Sequence, residues 1–314
     1  MLNLRERKND NDMTAPILLF VYNRPEHTRR CVESLLRNVL AKDSPLIVCS
    51  DAPRDESVAD RVGEVRRYIR SITGFRSIRI VERDSNWGLA RSIIDGVTKT
   101  LGRFGRVIVI EDDLVVAPYF LQFMNDALEA YKDADRVGHI QGCDFVREPS
   151  LPEAFLIKWT GSWGWATWER AWKHFNPDGK ALLSELERRH LTKTFDFNGN
   201  YPYTRMLRRQ IEGKNNSWAI RWNASLFLDD MLSLNVGRSL VQNTGFDGSG
   251  TNCGGGGLYA SDLWMEPLRV PVIEPTEENR EARRAYERYY HRTNCFWAKA
   301  LRRIKRTLRG DFGR

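Results

Sequence analysis

The sequence predicts an α/β protein built on one mixed, mainly parallel sheet with helices on both faces, and three observations carry that prediction. Short, continuous apolar runs alternate with longer amphipathic stretches from residue 16 to about 137. The runs are rich in branched residues and lack a polar face, as strands covered on both sides require. Polar and acidic residues gather directly after them, where open parallel sheets bind their ligands.

The elements follow in order. "PILLFVYN" (16–23) reads as a buried strand, and "RPEHTRRCVESLLRNVL" as a helix with Cys31, Leu35, Leu36 and Val39 on one face. "SPLIVCSDA" (44–52) is a second strand closing on Asp51, followed by the charged helical stretch "ESVADRVGEVRRYIRSI". "FRSIRIVERD" gives a third strand with Glu82 and Arg83, and a helix begins near Asn86 in "NWGLARSIIDGVTKTL". The fourth strand, "RVIVI", runs straight into Glu111, Asp112 and Asp113. "PYFLQFMNDALEAYKDA" then repeats apolar residues at helical spacing. Beyond about residue 138 the pattern loosens. "GHIQGCDFV" reads as one more strand, "KWTGSWGWATWERAWKHF" sets five Trp among glycines, and a helix is expected at about 180–192. "NNSWAIRWNASLFLDDMLSL" and the Gly-rich "NTGFDGSGTNCGGGG" complete this half, which is expected to finish the same sheet and cover its crevice with loops.

Composition narrows the class. The chain has 314 residues, 41% of them hydrophobic, with ten Trp, which excludes disordered and fibrous proteins. Five scattered cysteines without CxxC spacing point to a reducing compartment. Residues 1–14 form a polar leader with no apolar stretch after it, and no run of eighteen apolar residues occurs, so a cytoplasmic location is expected. Of the net charge of +8, the last nineteen residues carry +6, from seven Lys and Arg against one Asp. A basic helical tail is expected over 276–314, with Phe296, Ala300, Ile304 and Leu308 in one stripe. Such a helix either rests on an anionic membrane surface, here the inner face of the cell membrane, or docks on the domain. Nucleic acid is not an expected partner, because the main body lacks a basic patch interleaved with aromatics.

Three adjacent acids at the end of an apolar strand repel one another and call for a positive partner. If the strand continues through them, Glu111 and Asp113 share one side and Asp112 takes the other. Hard oxygen ligands suit Mg²⁺ or Mn²⁺ brought in with a diphosphate. A solvated acidic turn at the entry of the next helix satisfies the same residues. Arg24, after the first strand, can hold a phosphate or a base carbonyl, or simply face solvent at a helix start. Asp51 can accept from a uracil or a ribose, or form a turn. Asn23, Glu82 and Asn86 fall at the same strand ends. A carboxylate able to take a proton from a hydroxyl is offered by Glu169, Asp144, Asp229 or Asp230, none of which sequence separates from a helix-surface or turn acid.

"PILLFVYNRPEHTRRCVESL", "VIVIEDDLVVAPYFLQFM", "SWGWATWERAW" and "LVQNTGFDGSGTNC" resemble bacterial glycosyltransferases of the GT-A, Rossmann-like nucleotide-diphospho-sugar transferase fold. These are similar to the N-acetylglucosaminyltransferase I group, with its acidic-triplet form of the DxD motif. The resemblance covers about 15–275 and implies a donor half at 15–137 and an acceptor half at 138–275. It implies a hexosyl- or N-acetylhexosaminyltransferase using a nucleotide-sugar, a UDP-sugar above all, with a glycan or lipid-linked oligosaccharide acceptor in polysaccharide biosynthesis. By the same likeness Asp113 ligates the metal, Asp112 and Glu111 support the donor, and Arg24 and Asp51 bind the nucleotide. Trp163, Gly164 and Trp165 open a segment, running to Trp168, that lines the sugar and acceptor site. Asn252 stands where relatives often carry a metal-contacting His and offers a carbonyl oxygen in its place. Ala219 and Ile220 replace the acidic pair of the eukaryotic group. A nucleotidyltransferase shares the sheet and the acids but needs a Gly-rich loop after the first strand, and "VYNRPEHT" has no glycine. A non-catalytic module binding glycan or nucleotide-sugar is the remaining alternative.

Overall fold

The structure is a computed structural model that describes residues 14–247 and 262–294. Its centre is an eight-stranded sheet assembled in two stages. The first stage is wholly parallel. Strands β1 (Ile17–Val21), β2 (Pro45–Ser50), β3 (Ser77–Glu82) and β4 (Arg106–Glu111) alternate with helices α1 (Pro25–Leu36), α2 (Ala59–Arg70) and α3 (Leu89–Phe104). They lie side by side as β3-β2-β1-β4. Every residue of β1 is buried, which is why its sequence shows no alternation. Burying each such Val, Leu or Ile contributes about 1.5–3 kcal/mol. Helix α1 buries Cys31, Val32 and Leu35, whereas Leu36, its last residue, and Val39, beyond its end, both expected on the same face, are exposed.

After β4 come the short β5 (Leu114–Val116), α4 (Phe120–Ala130), β6 (Val137–Gln141), β7 (Ala154–Ile157) and β8 (Trp165–Trp168). The four-residue α5 (Glu169–Trp172) continues from β8, followed by α6 (Gly179–Arg188), α7 (Thr192–Phe195), α8 (Tyr203–Ile211) and α9 (Trp218–Leu228). Strands β9 (Leu232–Val236) and β10 (Val241–Asn243) and helix α10 (Arg280–Asn294) complete the described chain. Strand β8 inserts beside β4 in the antiparallel sense, pairing Arg106 with Trp168 and Val109 with Trp165. Beyond it the sheet continues β6-β9-β7, so the second half extends the first sheet. That half holds more helix than its loop-like sequence suggested. Helix α9 is buried on nearly every side, and an all-round buried helix shows no amphipathic period.

Two cores result. The larger follows the sheet, and a smaller one joins α6, α8 and α9 to β7 around Phe155, Trp159, Phe197 and Phe227. Helix α10 docks on this second core through Ala282, Ala285, Tyr286, Tyr289 and Tyr290. Residues 295–314 lie outside the described residues, including the Phe296 to Leu308 stripe.

His139 on β6 is wholly buried and stacks on Trp165 at 5.3 Å. The Trp222 indole Nε1–H donates to its Nδ1 at 3.1 Å, so the ring's own proton sits on Nε2, facing Gln141 Oε1 at 3.4 Å. Burial pushes this imidazole down to about 3. The unfolded chain takes up a proton near pH 6.5 that the folded protein refuses until far lower pH. Stability should therefore fall as pH drops below about 6.5, by about 1.4 kcal/mol per unit, or about 2 kcal/mol by pH 5. Urea unfolding at pH 7 and pH 5 checks this, and His139→Gln should remove that part of the slope. An unchanged slope in the variant would show that the ring is not the titrating group.

Candidate active site

The carboxyl ends of β1, β2, β3 and β4 open at one edge of the sheet, and the strand pairing fixes what stands there. Phe20 lies beside Glu111, and Ser50 lies between Val21 and Glu82. Strand β4 stops at Glu111, so Asp112 and Asp113 occupy the turn into β5 and the expected alternation ends there. The turn lets both carboxylates converge on one cation. Arg24 Nη2 donates to Asp112 Oδ1 at 2.8 Å and to Asp113 Oδ2 at 3.1 Å. The Tyr22 amide donates to Asp112 Oδ2 at 3.3 Å, and Cys31 Sγ lies 3.6 Å from the Glu111 carbonyl oxygen. Arg24 is therefore the positive partner that the acids required. Asn23 sits between Tyr22 and Arg24 in the same turn.

The electrostatics are tense. Burial raises Asp112 to about 6 even against the pull of Arg24. Glu111 is held well above the usual carboxylate range, first by burial and then by the charges of Asp113 and Asp112. For Arg24, burial works against the charge, but Asp112 and Asp113 outweigh it and the guanidinium is raised. Its Nη1 is buried without a hydrogen-bond partner.

A ribbon distant in sequence closes over the acids. Strand β10 pairs antiparallel with β5, and Thr244 then donates its amide and hydroxyl to the Asp113 carbonyl oxygen at 2.8 and 2.9 Å. The Asn243 side chain accepts the Gly245 amide at 2.7 Å. A Cβ on Gly245 would stand 2.5 Å from Asp113 Oδ2 and 3.2 Å from Arg24 Nη1, so only glycine leaves this corner open. Sequence placed "NTG" in a Gly-rich loop expected to cover the crevice, without singling out Thr244 or Gly245. Asn252, further along this segment, lies outside the described residues.

The set fits a divalent cation. Asp113 binds Arg24 through Oδ2 alone, and its Oδ1 accepts no hydrogen bond among the described residues, which leaves a hard oxygen for Mn²⁺ or Mg²⁺. Among the described residues, no three His, Cys, Asp or Glu side chains are grouped to hold an ion by themselves. Such a site suits a cation that brings diphosphate and water as its other ligands.

Other expected residues stand elsewhere or are already engaged. Both Asp51 oxygens are taken by backbone amides: Ala52 and Trp87 on Oδ1 at 3.0 and 2.9 Å, Trp87 and Gly88 on Oδ2 at 3.2 and 2.8 Å. Asp51 thus clamps the entry of α3, and Asn86 Nδ2 ties the same loop to the Ala52 carbonyl at 2.7 Å. Glu82 forms a two-pronged pair with Arg70 at 2.7 and 2.9 Å, away from the triplet. Trp165 is 0% exposed and stacks on Trp218 at 5.1 Å, so it is a core residue and cannot line a sugar site. Trp168 is buried as well. Trp163 is half-buried at the rim, edge-on to Phe246 at 5.6 Å. Gly164, at φ +63°, passes so close to Val241 that a Cβ would stand 2.6 Å from its Cγ2.

The proton-acceptor candidates are corrected by strand direction. Because β8 is antiparallel to β4, Glu169 lies at the far end of the sheet, with its amide on the Gly105 carbonyl oxygen at 2.8 Å. The length of β4, about 17 Å at about 3.3 Å per residue, separates it from the triplet. Asp229 and Asp230 are also at the far end. Asp230 pairs with Arg136 at 2.7 Å and Lys158 at 2.6 Å, and Asp229 with His174 at 2.6 Å. Asp144 follows β6 at the crevice end but is 3% exposed, and its two oxygens accept the Val146 and Arg147 amides.

A largely parallel sheet that turns mixed beside an acid-tipped central strand matches the GT-A fold of glycosyltransferases. The chain belongs to glycosyl transferase family 2, whose model matches residues 17–212. Among solved structures it is similar to Staphylococcus aureus TarS 1–349, with 13% identity over 74% of this chain and 61% of that one, at a TM-score of 0.43. The chain thus spans under two thirds of that relative. The Pyrobaculum calidifontis mannosyltransferase PcManGT in complex with GDP-Man and Mn²⁺ shares 10% identity over 70% of each chain, at 0.42. Glucosyl-3-phosphoglycerate synthase from Mycobacterium tuberculosis, in complex with Mn²⁺, UDP and glucosyl-3-phosphoglycerate, shares 14% over 57% of this chain and 67% of that one, at 0.33. No curated protein matches the chain. No described helix is long and apolar enough to cross a membrane.

Proposed function

We propose that this glycosyltransferase is metal-dependent and moves a sugar from a nucleotide-sugar, a UDP-sugar first, to a glycan or lipid-linked oligosaccharide acceptor. The observation that carries the reading is the convergence of Asp112 and Asp113 on Arg24 at the tip of β4, with one Asp113 oxygen left over. Asp113, supported by Asp112, would hold Mn²⁺ or Mg²⁺, which when bound neutralises charge growing on the leaving diphosphate. Arg24, a fixed guanidinium beside that position, would orient the two carboxylates and favour an anionic ligand over them. Gly245 keeps the corner free of side-chain atoms. The acidic triplet also supports the narrower likeness to the N-acetylglucosaminyltransferase I group.

A thermal-shift panel tests this. UDP-, GDP- and TDP-sugars are each added with Mn²⁺ or with EDTA, and one donor should raise the melting temperature only when the metal is present. A ligand at about 100 times its Kd adds about 2.7 kcal/mol of stability. Stabilisation that is equal with EDTA would remove the metal from the proposal, and no stabilisation by any donor would remove the donor.

A further inference from the structure

On one face of the sheet, α3 and the start of α9 flank an open groove of about 540 Å³. Trp87, Ala90, Arg91, Ile94, Asp95, Thr98 and Lys99 form one wall, and Asn216 and Arg221 the other. None of the donor-site roles above uses it.

Its charges do not balance. Arg221 lies in the first turn of α9 and is 8% exposed. Its Nε donates to the Ser217 carbonyl and its Nη1 to the Pro177 carbonyl, both at 3.2 Å, while Nη2 has no partner among the described residues. Among the described residues no carboxylate offsets this guanidinium, and burial alone pulls its pKa down. A guanidinium anchored on two carbonyls without a partner acid leaves its charge to solvent or to an anionic ligand. Arg91 repeats the pattern at the rim. Its Cζ stands 3.9 Å from the Trp87 ring centroid, and no acid pairs with it among the described residues. Asp95, the acid among the described lining residues, is already spent on Arg83 at 2.5 Å and Lys99 at 2.8 Å. Two guanidiniums thus line the groove with no free acid among the described residues to meet them.

The cavity is far larger than a bare phosphate or carboxylate requires, and falls in the range of small-molecule sites. Its walls mix apolar surface, from Trp87, Ala90 and Ile94, with hydrogen-bonding groups on Thr98 and Asn216. It also adjoins the crevice, because the Trp87 amide is held by Asp51 at the end of β2. We propose that this groove is a second site, which binds a saccharide bearing an oxyanion, with Arg221 and Arg91 on the phosphate or carboxylate. The choice of a saccharide rests on the glycosyltransferase reading. The anion preference rests on the two arginines alone.

The test is direct binding without metal or nucleotide. Calorimetry with EDTA present uses four probes: glucose 1-phosphate, glucuronate, methyl glucoside and inorganic phosphate. Saturable binding is expected for glucose 1-phosphate or glucuronate, and whichever is tighter tells phosphate from carboxylate. Methyl glucoside and inorganic phosphate should each bind at least about tenfold more weakly, since one lacks the charge and the other the ring. Arg221→Gln should weaken the anionic sugar at least about tenfold. Arg91→Ala, at an exposed position, should weaken it too and serves if Arg221→Gln fails to fold. Asp113→Ala should leave this binding intact, which separates the groove from the donor site. Loss of metal-dependent donor binding with retained probe binding would sink only the donor reading. The groove proposal is overturned by any of three results: no saturable binding of an anionic sugar, binding indifferent to Arg91→Ala in a folded variant, or inorganic phosphate binding as tightly as its glucosyl ester.

Discussion

Asp113→Ala is expected to lower sugar transfer by about 10³-fold or more, a barrier increase of about 4 kcal/mol, without unfolding the protein. The two halves of that expectation have different causes. Activity falls because the carboxylate with a spare oxygen is the one proposed to hold the cation. Stability does not fall, because Asp113 is itself part of the strain at this site: its charge raises both Glu111 and Asp112. Removing one of three crowded acids relieves repulsion while Arg24 keeps Asp112 as a partner at 2.8 Å. Nucleotide release in the presence of acceptor, measured beside urea unfolding, checks both. A variant that transfers at the wild-type rate would end the metal assignment, and one that merely unfolds would show Asp113 to be a structural acid. Manganese should also lose its effect on donor-induced thermal stabilisation in this variant.

Arg24→Ala should do the opposite to the fold. It leaves Asp112 and Asp113, 5% and 7% exposed, facing each other with no counter-charge. Breaking a buried pair from one side costs about 3–5 kcal/mol, more than the pair itself contributes. The pH dependence has a definite sign. Arg24 is what holds Asp112 down against its burial, and it also lowers Glu111, so in the variant these two carboxylates titrate higher and are protonated more readily. Protonation relieves the uncompensated charge, so the stability deficit should be largest at pH 8 and shrink towards pH 5.5. Arg24→Lys, which keeps the charge but not the planar fork, should recover part of the loss. Unfolding free energies at the two pH values decide the matter: a deficit independent of pH would mean that Arg24 acts by packing alone. Mn²⁺ without nucleotide should stabilise Arg24→Ala more than it stabilises the wild type, since the cation replaces the missing charge.

Much of this molecule is legible along the chain. The apolar runs at β1, β2 and β4 and the amphipathic stretches at α1 and α3 fix their own local structure, because burial on both faces or on one stripe leaves a periodic signature. The acids at 111–113 could be located from sequence because carboxylates adjoining a buried strand are out of place unless something positive meets them. The protein's own partner was not legible: sequence suggested a metal ion for the acids and read Arg24 as a phosphate or base ligand. That Arg24, not a solvent shell, reaches both aspartates depends on β1 and β4 lying side by side.

The second half resisted for a physical reason. A helix buried all round, such as α9, and a Gly-Trp segment carry no period, so nothing along the chain checked the sugar-facing role that the family likeness implied for Trp165 and that its burial forbids. Directions were hidden as well. Glu169 and Asp144 are equivalent as sequence, two acids beside apolar segments, yet the antiparallel insertion of β8 sends Glu169 to one end of the sheet and leaves Asp144 at the other. That Arg221 meets no acid among the described residues could not be recognised until α3 and α9 were brought together. Sequence by itself determined the strand and helix alternation and the charge at the strand tip, both set by neighbours along the chain. Tertiary structure alone decided which charges meet, since strand order, strand direction and the burial of a polar group are properties of contacts between residues far apart in sequence.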